Sequence, residues 1–242
     1  MNADRLQRLV LWDIRVQARE RIYLFTAVTT AAFALIAILL PDEAPVTIIT
    51  GILLLDPSVV GTGFVAALVL LERSQSTLPA LAVTPAAPAE YVTAKLFTFT
   101  TLTVVGGLVI MAAWAWPAPI PLLIRMVVAL TCTGAVAVLA GLVIVATAQS
   151  LNHVIARLIP VSIVTYLPLL AHFGLVDGWF AWVLFGLNPG HAMLRATLWA
   201  ADPAAVSPIE AVYAFGYLAL LGSVLFRHAV RLHTDTLGRT GG

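Results

Sequence analysis

The chain has 242 residues, of which 61% are hydrophobic and only 10% charged, and its formal net charge is +1. Soluble domains carry about a quarter charged residues, so a chain this poor in charge cannot clothe a water-facing surface. That excludes a soluble enzyme and points to a single polytopic membrane domain. The basic residues sit in short blocks at the ends of apolar runs, so nothing suggests nucleic acid as a partner.

Residues 1–21 predict a helix lying on the membrane surface, at 100° per residue. Arg8, Arg15 and Arg19 share one face with Arg5 beside it, and Leu6, Leu9, Val10, Ile14 and Val16 take the other side. Asp13 and Glu20 fall on the apolar side, and the pattern offers no reason for them. A first crossing follows at about Ile22–Leu40, without a small-residue cleavage site, so it reads as an uncleaved span. Pro41–Pro45 is a tight loop. The second crossing is about Ile48–Leu71, with Asp56-Pro57 one turn from its outer end. Glu72–Lys95 is a polar interruption. Then come a third crossing, about Tyr91–Ala113, a Trp- and Pro-rich turn, and a fourth at about Leu122–Ala148. Gln149–His153 with Arg157 reads as a short polar loop, and Leu158–Val176 as the fifth crossing. Trp179–Leu187 and His191–Ala200 are too short to cross and predict a pair of short helices dipping from the outer face. Val206–Phe226 is the sixth crossing, and 228–242 is a loose basic tail. The expected fold class is therefore an all-α polytopic membrane protein with six transmembrane helices.

Positive charge sets the orientation. With the N-terminus inside, eleven of the thirteen Lys and Arg residues are cytoplasmic, and only Arg125 and Arg195 are outside. Both termini and the 72–95 stretch are then cytoplasmic.

The chain has no fuel of its own. A P-loop needs Gly-Lys-Ser/Thr, yet the one lysine, Lys95, stands in Ala-Lys-Leu, and Gly61-Thr62-Gly63 is a bare GxG inside a span. No HExxH or nucleophile elbow occurs, Cys132 is alone, and His153, His172, His191, His228 and His233 are scattered, as interfacial histidines would be. Asp56, Arg125 and Glu210 are the ionisable residues inside spans, all near outer ends. Asp56 and Glu210 are substrate-path candidates against the simpler reading that they reach the interface. Thr98, Thr100, Thr101 and Thr103 could line a polar path, with Thr100 and Thr103 the candidates. Such hydroxyls more often bond their own helix. Thr133, Ala137 and Gly141 form a small-residue stripe that permits close packing.

The 72–95 stretch has features that need a reason. Glu72-Arg73 stands where the second span leaves the bilayer. Leu78, Leu81 and Val83 are apolar residues in a cytoplasmic segment, which suits a protein partner or burial against helix ends. Thr84-Pro85 forces a turn. Pro88 and Glu90 suit the first turn of the next helix, and Tyr91 and Lys95 are placed to anchor at headgroups. Prolines 79, 85 and 88 stiffen the segment into an elbow.

Glu72-Arg73, Ser76-Thr77-Leu78, Leu81, Val83-Thr84-Pro85, Glu90-Tyr91 and Lys95 resemble the loop after the second span in the type-two permeases of ATP-binding-cassette exporters. Drug and antibiotic exporters are most similar, among them the actinobacterial fluoroquinolone-export type. Ser76 stands where glycine is usual, and Ala87 where a capping serine is frequent. Asp56-Pro57 and Asn188-Pro189 fit the same resemblance. It implies a six-span permease domain over 22–227, in a bacterial cell membrane, behind an amphipathic helix at 1–21. It implies a coupling elbow at 72–95 that docks an ATPase subunit through Glu72, Arg73, Thr77, Leu78, Leu81, Thr84, Pro85, Glu90, Tyr91 and Lys95. It also implies pairing with a second permease, identical or related. No cofactor is expected in this chain, since ATP and Mg would sit on the partner. The alternatives are a membrane-embedded enzyme or its accessory subunit, built on Asp56, His191 or Glu210, and a membrane scaffold without transport.

Overall fold

A computed structural model describes residues 2–41, 43–75 and 87–240, with side chains except at 56–60 and 235–240. The described chain is all helical: α1 Ala3–Arg19, α2 Ile22–Leu39, α3 Val46–Pro57, a π-helical segment Ser58–Phe64, α4 Val65–Ser74, α5 Pro88–Trp114, α6 Ile120–Ala146, α7 Leu151–Tyr166, α8 Leu169–His172, α9 Gly178–Phe185, α10 Pro189–Ala201, a 3₁₀ turn Pro203–Ala205, and α11 Pro208–Thr240. With these runs of apolar helix the protein is an all-α polytopic membrane protein.

Five helical stretches among the described residues are long and apolar enough to cross a bilayer: 22–39, 88–114, 120–146, 151–172 and 208–234. The expected second crossing is a composite. α3 and α4 are each too short, and a seven-residue π-helical segment joins them into a helical path from 46 to 74. The GxG at 61–63, without weight as a sequence motif, lies in that segment. π-Helical turns concentrate where a helix must depart from regular packing. Here the departure meets α6 closely: a Cβ on Gly61 would be 3.0 Å from the Ala137 Cβ, and one on Gly141 would be 2.7 Å from the Thr62 carbonyl oxygen. The small-residue stripe on α6 thus receives the π segment, and the Thr62 hydroxyl donates to the Ala137 carbonyl at 3.1 Å.

The core has two parts. At one end Ile49, Leu53, Met111, Met126, Leu130 and Leu194 bring together α3, α5, α6 and α10. At the other, Val16, Val65, Leu68, Phe99, Leu142 and Val154 unite α1, α4, α5, α6 and α7. Of those five stretches, only the one in α6 is more than half buried; 151–172 and 208–234 are 11% buried and present apolar side chains to their surroundings.

Three expectations change. The polar loop at 149–153 is largely helix: Ser150 caps α7, its hydroxyl accepting from the His153 N–H at 3.3 Å, so Asn152, His153 and Arg157 lie inside the first turns. The loose tail is helical, since α11 continues to Thr240. Helix α1 forms as expected, but it lays Asp13, Val16 and Gln17 against the protein and turns Arg8, Leu11, Ile14 and Arg15 outward. The short helix pair before the last span is present as α9 and α10.

Candidate functional site

Residues 76–86 lie outside the described residues, and with them Thr77, Leu78, Leu81, Thr84 and Pro85 of the expected elbow. Its two roots are described: the end of α4 and the start of α5.

Lys95 stands two turns into α5 and is 1% exposed. Its ammonium forms ion pairs with both the Asp13 and the Glu72 carboxylates, which are 2% and 3% exposed. Three helices that are separate in sequence therefore meet at one buried cation. Tyr91, one turn earlier on α5, donates its hydroxyl to the second Glu72 oxygen at 2.7 Å. Gln17 donates to Asp13 at 2.7 Å and to the Thr98 hydroxyl at 2.9 Å, and Thr98 itself donates to Asp13. The Trp12 and Tyr91 rings lie 5.9 and 5.5 Å from the Lys95 nitrogen, close enough for cation–π attraction. Burying one charge unpaired costs several kcal/mol, and a buried pair persists only when hydrogen bonds satisfy its remaining lone pairs. Here Tyr91, Gln17 and Thr98 supply them.

This corrects two readings. Tyr91 and Lys95 do not reach for headgroups; both are buried. Asp13, unexplained on its amphipathic helix, is the carboxylate that pairs with Lys95. Thr98 departs from the expectation that the α5 hydroxyls bond their own backbone, because its hydroxyl also enters the ion cluster.

Arg73 turns the other way. Its guanidinium donates to the carbonyls of Val145 at 3.3 Å and Ala146 at 3.1 Å, and to that of Ala148. It thereby caps the C-terminal carbonyls of α6, where the helix dipole favours a cation. Glu90 makes a third connection. It accepts from the Asn2 N–H at 2.8 Å and the Ala87 N–H at 3.1 Å, and Arg5 lies 3.7 Å away. The carboxylate thus supplies half of a capping box at a helix start that lacks a serine. The α11 residue His233 packs its ring 5.5 Å from that of Tyr91 and bonds the Ala229 carbonyl at 2.9 Å. The described coupling residues Glu72, Tyr91 and Lys95 converge, while Arg73 and Glu90 fasten the same roots to α6 and α1.

The substrate-path candidates do not converge. The Asp56 side chain lies outside the described residues. Thr103 is buried against α6 and bonds the Phe99 carbonyl at 3.1 Å, whereas Thr100 lines an open groove. Glu210 caps the start of α11 through the Ser207 N–H at 2.9 Å and lies 3.6 Å from Arg195. Arg125 bonds the Ala200 carbonyl at 3.0 Å. His191 and His233 are buried rather than interfacial, and His172 links α8 to α3 through Thr47 and Thr50, each at 2.9 Å. His191 sits between Trp182 and Tyr213, with ring centroids 4.9 and 6.1 Å away. Burial, with Arg195 adding to it, lowers its pKa to about 4. Among the described residues no three His, Cys, Asp or Glu side chains are grouped to hold a metal.

A family model described as "Fluoroquinolones export permease protein Rv2686c-like" matches residues 22–226. The match begins after α1 and ends within α11. No curated protein and no solved structure matches the chain.

Proposed function

The chain belongs to the Rv2686c-like family of fluoroquinolones export permeases, and from that premise we propose that it is the membrane subunit of an ATP-binding-cassette exporter. A separate ATPase subunit supplies the energy, a second permease completes the path, and the cargo is a fluoroquinolone or a similar amphipathic drug. The 72–95 stretch faces the cytoplasm, and 76–86 is the surface the ATPase pushes.

The observation that supports this reading is the way the segment is rooted. The two helices that flank 76–86 meet in one buried ion cluster, with Glu72 on one side, Tyr91 and Lys95 on the other, and Asp13 of α1 completing it. Arg73 fastens the same point to the end of α6. A displacement applied to a segment held this way moves α1, α4, α5 and α6 together. A loop fixed by exposed ion pairs, each worth about 0–1 kcal/mol, would absorb it.

The test is transport in inverted vesicles holding the chain with candidate ATPases. The reading expects fluoroquinolone uptake that needs ATP and the ATPase. It expects Leu81→Glu to abolish uptake while insertion and ATPase assembly are measured as controls. Uptake that is independent of any ATPase would sink it.

A further inference from the structure

Two open furrows run along the outside of the helix bundle and share a wall. One, of about 460 Å³, lies between α5 and α6 and includes Phe97, Val104 and Val105; the other, of about 450 Å³, lies between α6 and α11 and is kept open by the small residues Ala219, Gly222 and Ser223. Leu96, Thr131 and Ala135 line both. From Leu218 to Arg227 the second furrow follows α11 for about 13 Å at helical rise. The hydrocarbon core of a bilayer is about 30 Å thick, so this length is close to that of one leaflet. Arg227 closes the furrow at the end of the bundle that holds the ion cluster, since His233, further along α11, packs against Tyr91.

The walls of both furrows suit hydrocarbon. The hydroxyls of Thr93, Thr101, Thr131 and Ser223 bond the carbonyl four residues back, at 2.7, 2.8, 2.6 and 2.8 Å, and so ask nothing of an occupant. The Thr100 oxygen has no partner among the described residues, but it is buried in the α5–α6 contact and out of an occupant's reach. The end of the furrow suits an anion. Arg227 is exposed, Arg231 stands one turn further on the same face of α11, and neither forms an ion pair among the described residues. Basic side chains at the edge of the apolar zone attract anionic headgroups. A free phosphate would satisfy the cation and leave both furrows empty. Two apolar furrows that share one wall, with a cation where one of them ends, match a molecule with two acyl chains and one phosphate.

We propose that the joined furrows hold an anionic diacyl phospholipid, with one acyl chain between α5 and α6, the other between α6 and α11, and its phosphate on Arg227. The proposal stands on the membrane-embedded fold and does not depend on the export reading.

The chain's one cysteine, Cys132, lies half-buried in the α6–α11 furrow and reports its occupancy. The full chain in detergent is alkylated with a small maleimide while phosphatidylglycerol, or phosphatidylcholine with the same acyl chains, is titrated in. Phosphatidylglycerol slows alkylation at about one fifth of the phosphatidylcholine concentration, the scale of one arginine at an anionic headgroup. Arg227→Gln abolishes that difference, while Arg8→Gln, the same change on the outward face of α1, leaves it intact. Native mass spectrometry, a readout independent of Cys132, finds phosphatidylglycerol retained by the wild-type chain and lost from Arg227→Gln. Equal protection by the two lipids in the wild-type chain overturns the proposal, as does a preference that survives Arg227→Gln. Protection by water-soluble glycerol phosphate also overturns it, because the ligand is then a free phosphate. So does protection by a fluoroquinolone without added lipid, which makes the furrows a drug site, and so does Cys132–Cys132 cross-linking between copies, which makes the occupant a second chain.

Discussion

Replacing Lys95 with methionine keeps most of the length of the side chain and removes its charged end. The structure makes this severe, because the ammonium is the only cation paired with Asp13 and Glu72 among the described residues, and all three groups are at most 3% exposed. Removing one partner of a buried pair costs about 3–5 kcal/mol, since the other charge stays buried and uncompensated. Two carboxylates are left here, so the upper part of that range applies. At about 2–4 °C per kcal/mol for a chain of 150–250 residues, the upper part of that range lowers Tm by roughly 8–20 °C. The six tryptophans report unfolding of the detergent-solubilised protein by intrinsic fluorescence. The triple variant Asp13→Asn, Glu72→Gln, Lys95→Met removes all three charges together and recovers most of the loss. A Lys95→Met shift below about 3 °C, close to 1 kcal/mol on the same scale, would refute the claim that this cation holds three helices together.

Asp13→Asn lowers Tm as well, while Arg8→Gln on the outward face of α1 stays within about 0.5 kcal/mol of wild type; equal effects would mean that α1 is not oriented by Asp13. Gly141→Val costs about 1–3 kcal/mol by overpacking, because its Cβ would lie 2.5 Å from a Val65 methyl as well as close to the Thr62 carbonyl. Gly216→Ala, with nothing within 4 Å of the added carbon, is neutral or gains up to about 1 kcal/mol of helix propensity, and Tm of the two variants decides the point. His191 gives a pH dependence: folding holds it neutral with its pKa lowered to about 4, while the unfolded chain takes up the proton near the ordinary value of about 6.5. Its contribution to stability is therefore full above about pH 6.5 and is lost as pH falls towards 4. Thermal unfolding at pH 7 and pH 4.5 should show a larger drop for wild type than for His191→Gln, and parallel drops would contradict it.

Much of the fold was legible because bilayer-length apolar runs leave few alternatives. The short α9–α10 pair could be read from length alone. The site was legible in part: Glu72, Tyr91 and Lys95 stood out as polar residues at a span boundary, but their burial depends on a partner 82 positions from Lys95. Asp13 was visible as a carboxylate on the wrong face of its helix. A charge on an apolar face signals a buried counter-charge, and the one lysine was the natural candidate. The start of α7 was also readable, since Ser150 before a helical run is an ordinary N-cap. The π segment was not: its seven residues carry ordinary apolar composition, and only the approach of α6 explains it. The Thr100 hydroxyl is likewise a tertiary feature, because its neighbours at 98, 101 and 103 look the same in sequence.

The most direct test of force entry through the second and third crossings places one cysteine at the segment between them, Leu81→Cys in a Cys132→Ser background. In inverted vesicles with the ATPase present, that thiol should cross-link to the ATPase, with a yield that changes when ATP is added. Labelling of the same thiol by a membrane-impermeant maleimide from outside intact cells would contradict the account.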